Sequence, residues 1–130
     1  MPLKTVSRNT FRILVKVTFQ ISGIRNSKGY VRGVAFTNEK GFPENYKLAT
    51  AMAEARSKKG TVQLSFDITE EKAAFAFFHD EKNIRRVEKS LLGIPKNGIT
   101  FTNWRGLSKP KFSSSLIKIT PVHALKIKYF

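Results

Sequence analysis

The chain has 130 residues, no cysteine, and 24 lysines and arginines against nine acids, for a formal charge of +15. One domain fits that length, and 41% hydrophobic residues with 11 phenylalanines supply a core, which excludes a chain held open by its own charge. Absent cysteine excludes disulfide staples, thiolate zinc sites and a cysteine nucleophile, and two histidines limit imidazole chemistry.

The first 11 residues read as a loose basic arm, and residues 12–130 as the single domain. From Ile13 to Ser22 the apolar residues Ile13, Val15, Val17, Phe19 and Ile21 alternate with polar ones, the period of a half-buried strand. Gly23 and Asn26-Ser27-Lys28-Gly29 carry turn chemistry before a second β-rich run, Tyr30 to Thr37, so the two runs are expected to form a hairpin. Residues 44–58 place Leu48, Ala49, Met52, Ala53 and Ala55 at helical spacing, with Glu44 in the first turn and Arg56, Lys58 and Lys59 before Gly60. That predicts one amphipathic α-helix ending near Lys59.

Thr61 to Ile68 alternates again, and Ala73 to Phe78 is continuously apolar, as in a strand buried on both faces. The short polar link Thr69-Glu70-Glu71-Lys72 predicts that these two strands pair antiparallel. A polar excursion from Asp80 to Ser90 follows, then turn-rich sequence. Ser115 to Thr120 and His123 to Phe130 are expected as final strands split by Pro121. About six or seven strands, one inserted helix and no βαβ alternation predict a mainly β fold: an antiparallel β-sandwich of immunoglobulin- or transthyretin-like type, with a closed barrel second.

The charge is uneven. Residues 1–38 hold seven cations and residues 89–130 hold eight, with no acid in either segment, whereas residues 39–88 balance nine cations against all nine acids. If the chain ends lie side by side, their cations merge into one positive face that attracts polyanions such as envelope glycans, lipopolysaccharide or nucleic acid. The residues expected to bind are Lys16, Arg25, Lys28, Arg32, Arg85, Arg86, Arg105, Lys118, Lys126 and Lys128. Tyr30, Trp104 and Phe112 stand near basic loops, but no RNA-binding or helix-turn-helix motif accompanies them. Lys4, Arg8, Arg12 and Lys16 interrupt every apolar run before a signal-peptide core of roughly 7–15 residues forms, so no leader is expected in this chain. No run approaches the ~18 apolar residues of a membrane helix.

His79-Asp80-Glu81 is the one cluster of imidazole and carboxylates. Catalysis there would need His79 within hydrogen-bond reach of a nucleophile or substrate proton, and no serine motif or phosphate loop accompanies it. The simpler reading is a strand-end histidine bonded to backbone, with Asp80 capping the next turn. His123 has less support, and Glu70-Glu71 and Asp80-Glu81 do not form a glycosidase-like pair, because sequence neighbours on a strand face opposite ways.

Phe78-His79-Asp80-Glu81, Leu92-Gly93-Ile94-Pro95-Lys96-Asn97-Gly98 and Phe101-Thr102-Asn103, preceded in order by Ile24-Arg25-Asn26-Ser27-Lys28-Gly29 and Gly41-Phe42-Pro43, resemble the bacterial family called domain of unknown function 2141, from about Val15 to Tyr129. The resemblance implies a small β-sandwich, periplasmic or extracellular, with no established activity. It also implies an Asn- and Gly-rich loop like a calcium loop after His-Asp-Glu. Here Lys82 and Ile84 stand where alternating oxygen donors would be, and a hard cation needs about 6–8 oxygens. No metal and no cofactor are therefore expected, and Asp80 or Glu88 is expected to pair with Lys82, Arg85 or Arg86. The expectation is a non-enzymatic binding or accessory domain of the cell envelope with an anionic partner. The alternative is a hydrolase or lyase using His79 and Asp80 in a loop-lined pocket.

Overall fold

The computed structural model describes residues 13–90, 93–106 and 108–130; the expected arm, residues 1–11, lies outside them. Eight strands are formed among the described residues: β1 (Val15–Ile24), β2 (Tyr30–Phe36), β3 (Ala51–Arg56), β4 (Gly60–Ile68), β5 (Lys72–Asp80), β6 (Ile99–Phe101), β7 (Leu116–Lys118) and β8 (Val122–Lys126). They make two sheets, ordered β4-β1-β8 and β3-β2-β5-β6, with β7 continuing beside β5. The fold is the mainly β sandwich that the alternation predicts. The one α-helix among the described residues is a single turn, Phe112–Ser115.

The alternating strands pair so that their apolar sides coincide. β1 runs antiparallel to β4 with Val17 opposite Phe66, Phe19 opposite Leu64 and Ile21 opposite Val62. Val17, Phe19 and Ile21 are fully buried. Phe19 sits at the centre of the core, its ring centroid 4.6 Å from Phe75, 4.8 Å from Phe77 and 5.9 Å from Phe66. Each such ring contributes about 1.5–3 kcal/mol through burial, and each tilted or edge-on pair about 0.5–1.5 kcal/mol more.

β5 explains the second layer of the molecule. All its residues after Lys72 are buried: Ala73, Phe75 and Phe77 pack into the core between the sheets, and Ala76 and Phe78 face outward into a second cluster with Val34, Phe36, Ile99 and Phe101. Loops cover that outer face through Phe42, Tyr46, Val87, Trp104 and Phe112. A strand with apolar groups on both faces needs two covers, and sheet β4-β1-β8 supplies only one.

Three local expectations are corrected. Residues 44–58 are not a helix: Tyr46–Leu48 is one 3₁₀ turn, and Ala51–Arg56 is β3, paired antiparallel with β2. Ala51, Ala53 and Ala55 fit a period of two as well as a helical one. The helix preference of such residues, a few tenths of a kcal/mol each, is outweighed by pairing the free edge of β2, whose backbone groups would otherwise lack partners. Nor do β1 and β2, or β4 and β5, pair as hairpins. β1 and β4 belong to one sheet and β2 and β5 to the other, so both connections arch across the core. In the first arch Gly29 has φ +65, and a Cβ there would collide with the Asp80 carbonyl, so the chain turns only as glycine.

Among the described residues the first and last strands lie together. β8 runs parallel to β1, with Gln20 opposite Ala124 and Ser22 opposite Lys126. Beyond β8, Lys128 exchanges two backbone hydrogen bonds of 2.8 Å with Ile99 of β6, so the last residues tie one sheet to the other.

Two substitutions test this packing. A Cβ on Gly33 would meet Phe77 at 2.6 Å and Phe66 at 2.8 Å, so Gly33→Ala is expected to cost about 1–3 kcal/mol in denaturant melts. Phe77→Asp places an unpaired charge among buried rings and is expected to unfold the domain by circular dichroism, since the cost rivals a total stability of ~5–15 kcal/mol. A wild-type melt for Phe77→Asp would reject the strand assignment.

Candidate functional site

Sequence neighbours on β5 send His79 and Asp80 to opposite faces, so their side chains belong to separate networks. Asp80, fully buried, accepts from Arg32 Nε at 2.8 Å and from the backbone N–H groups of Ile84 at 3.0 Å and Arg85 at 2.8 Å. The guanidinium of Arg32, itself only 7% exposed, also bonds Glu54 at 2.7 Å and Asn83 at 2.5 Å. Three side-chain oxygens thus surround one built-in cation. Burial acts to raise the Asp80 carboxyl; hydrogen bonds from Arg32 and the two backbone donors outweigh it and hold it below the ordinary carboxylate range. Asn83 and Arg85 take left-handed φ of 55 and 63, a conformation costing roughly 1–2 kcal/mol for a side-chain-bearing residue, and the Asp80 carboxylate holds the loop there.

Of the two carboxylates expected to pair with the loop cations, Asp80 takes a different partner and Glu88 does pair. The cation on Asp80 is Arg32, 48 residues earlier, and Arg85 reaches Asp80 through its backbone only. Glu88 does pair with Lys82, at 3.4 Å.

His79 faces the interior and is fully buried. The Lys28 carbonyl, 2.7 Å from Nε2, can only accept, so Nε2 carries the proton. In the neutral ring Nδ1 then accepts from the Tyr129 hydroxyl at 2.8 Å, whose oxygen accepts from the Arg25 backbone N–H at 3.0 Å. Ser57 Oγ, 3.0 Å from Nε2, donates to the Asn26 carbonyl at 2.7 Å. Both ring nitrogens are engaged in tying the first arch to the chain end. Glu81 clamps the outside of that arch, accepting from Arg25 at 2.6 and 3.0 Å and from Asn26 at 2.5 Å. The Arg25 hydrogen bonds lead in drawing the Glu81 carboxyl down to about 2, with burial opposing them.

The ten cations singled out in the sequence fall in different places. Arg32 is interior, and Arg25 lies on Glu81 with its guanidinium 4.5 Å from the centre of the Tyr129 ring. Lys16 stands opposite Asp67, and Lys118 opposite Lys72. Lys28, Arg85 and Arg86 are exposed on the arch and on the loop after β5. Arg105, Lys126 and Lys128 meet. They line one groove of about 410 Å³ whose wall is Trp104 and Tyr129, and no acidic residue lines it. Lys128 Nζ donates to the Gly106 carbonyl at 2.9 Å, and none of the three pairs with a carboxylate among the described residues.

Beside this groove, on the outer face of β2, β5 and β6, is a larger apolar cleft of about 910 Å³. Phe78 forms its floor and carries Tyr46 stacked at 5.7 Å. Phe42 packs edge-on to Phe36 and Phe101, and Trp104 packs edge-on to Phe101 at 5.0 Å while donating its indole N–H to the Ser108 carbonyl at 2.6 Å. Ile94 and Phe130, 47% and 56% exposed, stand at its mouth. Burial leads in raising the Tyr46 phenol, helped by the Asp80 and Glu44 carboxylates, so it remains a neutral hydroxyl. Glu44 pairs with Lys89 at the rim, and Lys109 stands nearby. In the sequence this cleft leaves only the traces Gly41-Phe42-Pro43 and the lone tryptophan, which the fold brings together. Among the described residues no group of three His, Asp or Glu could hold a metal ion, and no helix is long and apolar enough to cross a membrane.

Two measurements test the clamps. Arg32→Met leaves Asp80 buried without its cation and is expected to cost about 3–5 kcal/mol in urea melts. Glu81, with a folded value of about 2 against an ordinary 4.5, contributes stability that is complete above that ordinary value and lost as pH falls through about 2. Glu81→Gln is therefore expected to lower the melting temperature at pH 7 and to converge on wild type as acid is added. A constant gap down to pH 2 would remove the Arg25 clamp from the account.

No curated protein and no solved structure matches the chain. A family described as an uncharacterized protein conserved in bacteria (DUF2141) matches residues 19–125. Nearly the whole two-sheet core lies within that span, and the chain belongs to this family.

Proposed function

We propose that this protein is a non-enzymatic binding domain of the bacterial cell envelope that engages an anionic partner. The observation that carries this reading is the acid-free groove where Arg105 from the loop after β6 converges with Lys126 and Lys128 from the chain end. Three cations along one wall focus a positive potential that a single exposed lysine does not. The uneven charge of the sequence supports the same reading, because all three cations belong to the acid-free stretch of residues 89–130. The envelope location rests on the resemblance to exported bacterial domains.

His79 and Asp80 enter this reading as residues that hold loops. Their burial and their placement on opposite faces of β5 give a substrate no shared approach to both. The domain is accordingly read as a binder and not as a hydrolase or lyase.

Isothermal titration with inorganic polyphosphate tests it. Affinity is expected to fall about tenfold between 50 and 200 mM salt, as for a few phosphate contacts. The triple reversal Arg105→Glu, Lys126→Glu and Lys128→Glu is expected to abolish binding, whereas Lys118→Glu, outside the groove, leaves it largely unchanged. Salt-independent binding, or equal loss from Lys118→Glu and the groove variant, would overturn the reading.

A further inference from the structure

The basic groove and the apolar cleft are not separate features. Trp104 and Gly106 line both, so one wall of the cationic groove is also a wall of the cleft. Phe130 closes the same corner: its ring lies 6.5 Å from that of Trp104, with Lys128 Nζ 5.3 Å above it. Across this junction the surface changes from three cations without an acid to a trough floored by Phe78, Ile99 and Phe101.

We infer that the two together form one site for an anionic amphiphile: a single molecule with a phosphate-like or carboxylate head and an alkyl or acyl body. The head lies against Arg105, Lys126 and Lys128; the body passes Trp104 and lies along the cleft beside Phe101, Phe42 and the stacked Tyr46–Phe78 pair. This rests on the charge-driven reading above and goes further, by naming the chemistry of the partner.

Charge complementarity places the head. The groove offers three cations with no acid in its lining, and the Glu81 carboxylate is already paired with Arg25. Apolar contact places the body. The cleft lining is dominated by aromatic and aliphatic groups, and Ile94 and Phe130 leave apolar surface in water at its mouth that a chain would cover. A purely polar anion would use only the groove and leave the larger cavity unfilled. An uncharged hydrocarbon would use only the cleft. The shared tryptophan wall favours a ligand that carries both parts.

Trp104 is the only tryptophan, so its emission reports the junction directly. Titration with octyl, decyl and dodecyl phosphate, each below its micelle concentration, is expected to shift that emission. Each added methylene should tighten binding about three- to fourfold, the gain from burying one CH₂. Dodecyl maltoside, with the same chain and no charge, is expected to bind at least about tenfold more weakly, as is dodecyl phosphate to the groove triple reversal. Ile94→Glu and Phe130→Ala, at exposed positions, should retain the wild-type melting curve and flatten the chain-length dependence. If inorganic polyphosphate binds but alkyl length makes no difference, the amphiphile site is overturned while the anionic reading stands. If neither binds, both fall. If dodecyl maltoside matches dodecyl phosphate, the cationic groove has no part in the site and the inference fails.

Discussion

The double-sided burial of β5 is the constraint on which the rest of this structure depends. Its run from Ala73 to Asp80 leaves no side chain for solvent, so the strand needs a cover on each face. One cover is a regular sheet, β4-β1-β8, whose alternating strands deliver Phe19, Phe66 and Leu64 onto Phe75 and Phe77. The other is assembled from loops after β2, β5 and β6, which carry aromatic side chains individually. A sheet packs as a continuous surface, whereas loops cover in pieces. The cleft over Phe78 is where the pieces fail to meet.

Such a cover must be held from below, because loops bury too little apolar surface to hold themselves. Arg32 does this from β2, gathering Asp80, Asn83 and Glu54 around one guanidinium. Glu81 with Arg25, and His79 with Tyr129, fasten the first arch and the chain end to the same end of β5. Most of the polar residues that suggest chemistry in the sequence are therefore spent on fastening. Three cations without carboxylates among the described residues, Arg105, Lys126 and Lys128, lie where the chain end crosses from one sheet to the other.

Much of the fold was legible because burial writes itself into local pattern. The alternation of Ile13–Ser22 and Thr61–Ile68, and the unbroken run before His79, correspond to β1, β4 and β5. What stayed hidden is which sheet each strand joins. A short polar link such as Thr69–Lys72 serves a hairpin or an arch equally well, and the choice depends on distant partners. Residues 51–56 misled for a related reason: alternating alanines satisfy both periods, and the free edge of β2 decides. In the site, Arg105, Lys126 and Lys128 share the acid-free stretch of residues 89–130, but nothing local marks which of its cations line one groove. The capture of Arg32 was hidden as well, because its carboxylate lies 48 residues away.

Residue-resolved hydrogen exchange under native conditions tests the two-cover account most directly. The amides of Phe77 and Phe78 are predicted to exchange only through global unfolding. Those of Ile84 and Lys96, in the loop cover, should exchange through smaller openings that widen in Arg32→Met. Exchange of β5 and the loops in one common step, unaffected by loss of Arg32, would show that the outer cover is not a separate layer held by that guanidinium, and would contradict the account.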